Sequence, residues 1–110
     1  MAPETVATLV QQAIIGHRAV RITHCKDGDT EPTTRLVLPF YLVQCEANKR
    51  VYVYAYCSLR KAKRSFRIDR ITDISVGDKP VPSTMYQRVA PMGLSQEPTG
   101  RILGRAQWQS

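Results

Sequence analysis

Three tyrosines stand at alternate positions in one apolar run, from Val51 to Cys57. Successive side chains of a β-strand point to opposite faces of its sheet, so Tyr52, Tyr54 and Tyr56 share one face and the small residues between them share the other. Aromatic rings in a row can stack on the bases of a single strand or on a nucleotide ring. The alternative is a structural role, because tyrosine favours strands and can cover a second layer while its hydroxyl stays at the rim.

Positive charge is concentrated around this run. The 110-residue chain has 16 Lys and Arg against nine Asp and Glu, and eight of those bases but only one of those acids fall between residues 49 and 70. The net charge of this window therefore equals the +7 of the whole chain. A concentrated basic surface suits a polyanion such as nucleic acid, a nucleotide or an acidic protein surface. A solvated charged face kept for solubility is the alternative.

Other kinds of chemistry find little support. The sequence has no nucleophile-elbow, zinc-protease, phosphate-loop or dinucleotide motif. The odd number of cysteines and their wide spacing match no zinc site, and neighbouring His24 and Cys25 would point to opposite faces of a strand. No apolar run is long enough to span a membrane. We therefore expect a cytoplasmic protein that is not an enzyme, with reduced thiols, no metal, no cofactor and no membrane partner.

The hydrophobic pattern predicts one helix followed by strands. Apolar residues at helical spacing predict a helix from Glu4 to Ile15, with Gly16 as its natural stop. Alternating patterns and turn signals predict four clear strands, a hairpin turn at residues 26–29, a second turn at residues 46–49 and a connector at residues 58–64. The predicted strands are Ala19 to Cys25, Arg35 to Val43, Arg50 to Cys57, and Ser65 to Ile74. Four or five short strands after one helix indicate a small, strongly bent sheet or barrel.

The character of the chain changes after Val76. Residues 77–110 hold four of the six glycines and four of the seven prolines, and their apolar residues are scattered. We therefore divide the chain into a domain at residues 1–76 and an irregular Pro/Gly-rich extension at residues 77–110. The extension packs or orders on a partner rather than forming a second core, and short strands within it are compatible with this interpretation.

A set of residues between about Val10 and Ile74 has a characteristic spacing. The set is Ile22, Arg35-x-Val37-x-Pro39 with Leu42, Val51-Tyr52-Val53, Ala55-Tyr56-Cys57-x-x-Arg60, and Arg64-x-Phe66-Arg67-x-Asp69-Arg70-Ile71. In these residues the sequence resembles the WYL domain of bacterial and phage regulators. Val51 stands where the family usually has Trp and Val53 where it usually has Leu. Because valine is also apolar, these positions of the strand still face the core. His24 stands where an aromatic residue is common.

The resemblance implies a mainly β, α+β fold, in which an N-terminal helix precedes an Sm-like or SH3-like β-barrel of about five strands. It also implies a positively charged site for nucleic acid or a nucleotide-like ligand, and a role in transcription regulation or anti-phage defence. Together with the aromatic row, the candidate site residues are Tyr52, Tyr54, Tyr56, Arg35, Arg60, Arg64, Arg67 and Arg70. The sequence predicts that Asp69 anchors Arg67 or Arg70.

The leading hypothesis is a non-enzymatic module that binds single-stranded DNA or RNA, or a nucleotide, through the tyrosines and arginines. If the connector makes a helical turn, Arg60 and Arg64 project together beside Tyr52. The alternative is a protein-interaction or oligomerisation module of a larger regulatory assembly. The sequence leaves open the choice among DNA, RNA and nucleotide, as well as the oligomeric state.

Overall fold

The computed structural model describes residues 2–25, 28, 30–94 and 99–106. Two helices, six strands and one 3-10 turn lie along these residues. In chain order they are α1 (Pro3–Ile15), β1 (Val20–His24), β2 (Thr33–Gln44), β3 (Val51–Cys57), β4 (Ala62–Arg67), the 3-10 turn Ile68–Arg70, β5 (Ile71–Val76), α2 (Ser83–Leu94) and β6 (Arg101–Arg105). None of the described helices is long and apolar enough to cross a membrane.

The helix α1 forms where the sequence predicts it. Pro3 occupies its first turn, where the missing N–H costs nothing, and Gly16 follows its last residue. Its buried side chains are Val6, Val10, Ala13 and Ile14, which lie on one face at helical spacing. This face packs on β2, β5 and β6, so α1 closes one side of the core.

All six strands belong to one antiparallel sheet with the order β4-β3-β2-β1-β5, in which β6 also pairs with β2. The long strand β2 organises this sheet. Its first part pairs with β1 and its last part with β6, while β3 runs along its other edge. An irregularity between Pro39 and Tyr41 interrupts the β2–β3 register and separates the two parts. The prediction of a mainly β fold behind an N-terminal helix is confirmed.

Three details differ from the prediction. The sheet has six strands, and among the described residues no pairing between its end strands β4 and β5 closes it into a barrel. The predicted strand Ser65 to Ile74 is broken by the 3-10 turn, and β4 begins earlier, at Ala62. Ile68, Ile71 and Ile74 are all buried at intervals of three, which a straight strand of period two cannot achieve.

The third difference is the region after Val76, which is not irregular throughout. The helix α2 buries Tyr86, Val89 and Ala90 against β2, β3 and β4. Strand β6 pairs with β2, and Gly100 precedes it with φ +122°, where a Cβ would lie 2.6 Å from the carbonyl oxygen of Gln44. Only glycine lets the backbone approach β2 this closely. Trp108, one of the apolar residues of the predicted extension, lies outside the described residues.

Candidate ligand-binding site

A cavity of about 290 Å³ lies at the end of the sheet where β1 finishes and β2 begins. Four of its seven lining residues are Lys or Arg. The lining residues are His24, Arg35, Arg60, Lys63, Arg64, Ser65 and Phe66. None of the acidic residues that the structure describes borders the cavity, so the charged side chains of its described lining are all basic.

Strand register brings the arginines to this cavity. Arg64 of β4 stands opposite the buried Ala55 of β3, and Arg35 of β2 stands opposite the buried Ile22 of β1. Directly paired residues share one face of an antiparallel sheet, so both arginines start from the core-facing side. Arg60 reaches the same cavity from the turn that joins β3 to β4.

Arg35 forms the deep part of the site. Its Nη1 donates a hydrogen bond to Sγ of Cys57 at 3.7 Å, while its Nε is buried and has no hydrogen-bond partner among the described residues. No carboxylate of the described residues pairs with it. A buried donor without an acceptor is costly, and a bound anion would satisfy it.

The thiol of Cys57 lies in the same positive surroundings. Burial raises its pKa, but the backbone N–H groups of Arg60 and Leu59 and the guanidinium of Arg35 outweigh this, so the pKa of Cys57 is lowered overall. Two backbone N–H groups of the turn after β3, those of Leu59 and Arg60, therefore point toward this thiol.

One wall of the cavity is aromatic. The rings of His24 and Phe66 meet edge to face, with centroids 5.0 Å apart, and His24 is only 6% exposed. The sequence did not predict either residue as part of the site, although Phe66 belongs to the motif that carries the family resemblance. His24 lies two residues beyond Ile22, on the inward face of β1. This alternation is the sequence signal that could have identified it.

The tyrosine row lies on the other face of the sheet. The odd residues Val53, Ala55 and Cys57 are buried and the three tyrosines are half-buried, as the alternation predicts. Register pairs Tyr52 with Arg67, Tyr54 with Ser65, and Tyr56 with Lys63. Ser65 and Lys63 therefore border the cavity from the tyrosine side of β4, although none of the three tyrosines lines it. Tyr54 and Tyr56 also pack against the hydrophobic core.

The predicted grouping of Arg60 and Arg64 beside Tyr52 is therefore not the one that the structure has. Arg64 lies in β4 rather than in a helical connector, and it faces the side of Ala55. Of the eight sequence-predicted site residues, Arg35, Arg60 and Arg64 meet in the cavity, whereas the tyrosines, Arg67 and Arg70 do not line it.

Asp69 anchors Arg67, as the sequence predicts. Nε and Nη2 of Arg67 donate to the two carboxylate oxygens of Asp69 at 3.0 and 2.6 Å. This paired hydrogen bond is the main reason that the pKa of Asp69 is lowered, and the charges of Arg50 and Arg70 add to it. The pair fixes the guanidinium of Arg67 near the start of the tyrosine row.

Comparison with known proteins decides the family. The family model for the WYL domain matches residues 5–76. The chain belongs to the WYL domain family. No curated protein sequence matches it significantly. Among solved structures, proteasome accessory factor B/C of Arthrobacter aurescens superimposes with a TM-score of 0.68 at 24% sequence identity, over 93% of this chain and 14% of that protein. The likeness shows a shared fold, and this chain spans about one seventh of the solved protein.

The fold of this WYL domain extends beyond the region that matches the family model. The superposition covers nearly the whole chain, whereas the family match ends at Val76, before α2 and β6. The cavity itself lies entirely within the matched region, between His24 and Phe66. No group of His, Cys, Asp and Glu in the described part of the chain is arranged to hold a metal ion.

Proposed function

We propose that this WYL domain is a non-enzymatic regulatory module that senses a nucleotide or single-stranded nucleic acid by binding its phosphate in the cationic cavity. The observation that supports this proposal most directly is the unpaired, buried Nε of Arg35 inside a cavity bordered by three further cations. Guanidinium groups bind phosphate through paired, charge-assisted hydrogen bonds, which are stronger than neutral ones.

The aromatic wall suits the same ligand. The edge-to-face pair of His24 and Phe66 gives the cavity an apolar side, against which a sugar or base can pack while its phosphate faces the arginines. The family's place in bacterial and phage regulators makes a larger regulatory protein or assembly the natural partner of the domain. In such an assembly, ligand binding in this cavity would be the input signal.

The test is a binding titration with a short fluorescent single strand. Arg60→Ala and Arg64→Ala should each weaken binding by about 1.5–3 kcal/mol, or roughly ten- to hundredfold, because each removes a charge-assisted contact. Lysine at either position should restore part of the affinity, since it supplies the charge without the planar fork. Both residues are exposed, so thermal melting should change little.

Arg88→Ala is the matched control, because Arg88 is an exposed arginine on α2 that does not line the cavity. The titrations should be run at two salt concentrations, since phosphate contacts lose affinity steeply as salt rises. Unchanged affinity of both cavity variants, with unchanged melting temperatures, would contradict the proposal. It would then favour a protein-interaction module, whose apolar docking face would be insensitive to salt.

A further inference from the structure

The cavity holds more positive charge than one internal phosphodiester would balance. Arg35, Arg60, Lys63 and Arg64 carry four formal positive charges around about 290 Å³, without a bordering acid among the described residues. Each phosphate within a strand carries one negative charge. A terminal phosphate monoester carries about −1.5 to −2 at neutral pH and offers three acceptor oxygens. The charge of the site therefore matches a terminal phosphate better.

The depth of the site argues in the same direction. Arg60 and Arg64 are exposed, whereas Arg35 is half-buried and its unpaired Nε is fully enclosed. A phosphate that reaches Arg35 must therefore enter past the two outer arginines. An internal phosphodiester is attached to the strand on both sides, so both of its neighbours would have to be drawn in with it. A terminal phosphate has only one such attachment.

The volume sets a similar limit. Pockets that enclose whole drug-sized ligands begin at about 300 Å³. A cavity of about 290 Å³ thus accommodates the end of a nucleotide chain, or one small nucleotide, but not several residues of a strand.

From charge, depth and volume together we infer that the cavity selects a terminal phosphate monoester, either on a free nucleotide or at the end of a strand, over an internal phosphodiester. This inference rests on the proposed function, because it names the part of the ligand that the cavity recognises. Arg35 is then the specificity-determining residue, since its half-buried side chain lines the cavity at a greater depth than the exposed Arg60 and Arg64.

Isothermal titration calorimetry with unlabelled tetrathymidylates tests the inference. The ligands are the strand with a 5′-phosphate, with a 3′-phosphate, with a 5′-methyl phosphate, and with hydroxyls at both ends. In the methyl phosphate, one oxygen of the terminal phosphate carries a methyl group, which removes one negative charge and one free acceptor oxygen. At least one of the two monoesters should bind the wild-type domain about tenfold or more tightly than the dihydroxyl and methyl-capped strands.

The protein variants separate recognition from general charge. Arg35→Met should abolish the advantage of the monoester, and Arg60→Ala, which removes an exposed side chain, should reduce it if Arg35→Met fails to fold. Arg88→Ala should keep the full advantage. Thymidine 5′-monophosphate completes the series: binding as tight as that of the phosphorylated strand identifies a free nucleotide as sufficient, and much weaker binding identifies a strand end.

The outcomes distinguish this inference from the proposed function. Equal affinity of all four strands for the wild-type domain, lost on Arg60→Ala, would overturn the selection of a terminal phosphate while leaving phosphate binding in the cavity intact. A monoester advantage that survives in both Arg35→Met and Arg60→Ala would place the recognition elsewhere and overturn the inference. No binding of any strand or of the mononucleotide would overturn both.

Discussion

Replacement of Tyr86 by alanine tests whether the region after Val76 is part of the domain's core. Tyr86 lies on α2, is 4% exposed, stacks on the ring of His17 with centroids 4.0 Å apart, and meets Phe40 edge to face at 6.1 Å. The side chain therefore joins three distant parts of the chain. If α2 belonged to an extension that only orders on a partner, none of these contacts would stabilise the isolated protein.

The expected cost follows from burial and ring contacts. Truncation of a large buried aromatic residue to alanine costs about 3–5 kcal/mol, and this figure includes the loss of the two ring pairs, worth about 0.5–1.5 kcal/mol each. A domain of this size has a free energy of unfolding of about 5–15 kcal/mol. Tyr86→Ala should therefore remain folded or marginally folded at room temperature, and its melting temperature should fall by roughly 12–20 °C, at about 4 °C per kcal/mol.

Urea denaturation followed by circular dichroism measures this cost. The matched control is Met85→Ala, because Met85 is adjacent on α2 but 38% exposed, and its replacement should cost less than about 1 kcal/mol. Equal and small costs for the two variants would refute the packing of α2 on the sheet. They would also support the division of the chain at Val76.

Three further predictions follow from particular side chains. Val53→Asp should unfold the domain because it buries an unpaired charge, whereas Tyr54→Ser on the opposite face should cost much less in a thermal melt; equal losses would contradict the alternation of β3. Asp69→Asn should lower the free energy of unfolding by under about 1 kcal/mol at neutral pH. Because the pKa of Asp69 is lowered in the folded state, this difference from the wild type should vanish as pH falls through that pKa. A difference that stays constant into the acid range would be inconsistent with the ion pair. Burial, with the charge of Tyr41, raises the pKa of Tyr86 from 10.0 to about 12. Between these pH values the tyrosine ionises only in the unfolded state, so the free energy of unfolding falls as pH rises. Tyr86→Phe should lose less stability over this range in an alkaline titration, and a curve identical to that of the wild type would contradict the raised pKa.

Local patterns predicted the parts of the fold that depend on local sequence. The helical spacing of α1 and the alternation in β3 were sufficient because each element buries one face. The helix α2 carried a similar signal, since Tyr86, Val89 and Ala90 lie at helical spacing, but the surrounding prolines and glycines concealed it. The pairing of β6 with β2 joins residues about sixty positions apart, and no local pattern specifies such a contact.

The site was predictable by residue type but not by arrangement. The resemblance and the basic cluster pointed to Arg35, Arg60 and Arg64, and these three line the cavity. Their separation from the tyrosine row depends on the register between β3 and β4, which places Arg64 opposite Ala55. The length of the connecting turn sets that register, and a shift of one residue would move Arg64 to the tyrosine face. The sequence alone left the end of this turn undetermined.

The most direct measurement of the central claim is a crystal structure of the domain with a 5′-phosphorylated tetrathymidylate. The account predicts that a phosphate occupies the cavity, with its oxygens within hydrogen-bond distance of Arg35 and of Arg60 or Arg64. The bases would then extend from the mouth of the cavity. A strand bound along Tyr52, Tyr54 and Tyr56, with its phosphates at Arg67 and the cavity empty, would contradict it.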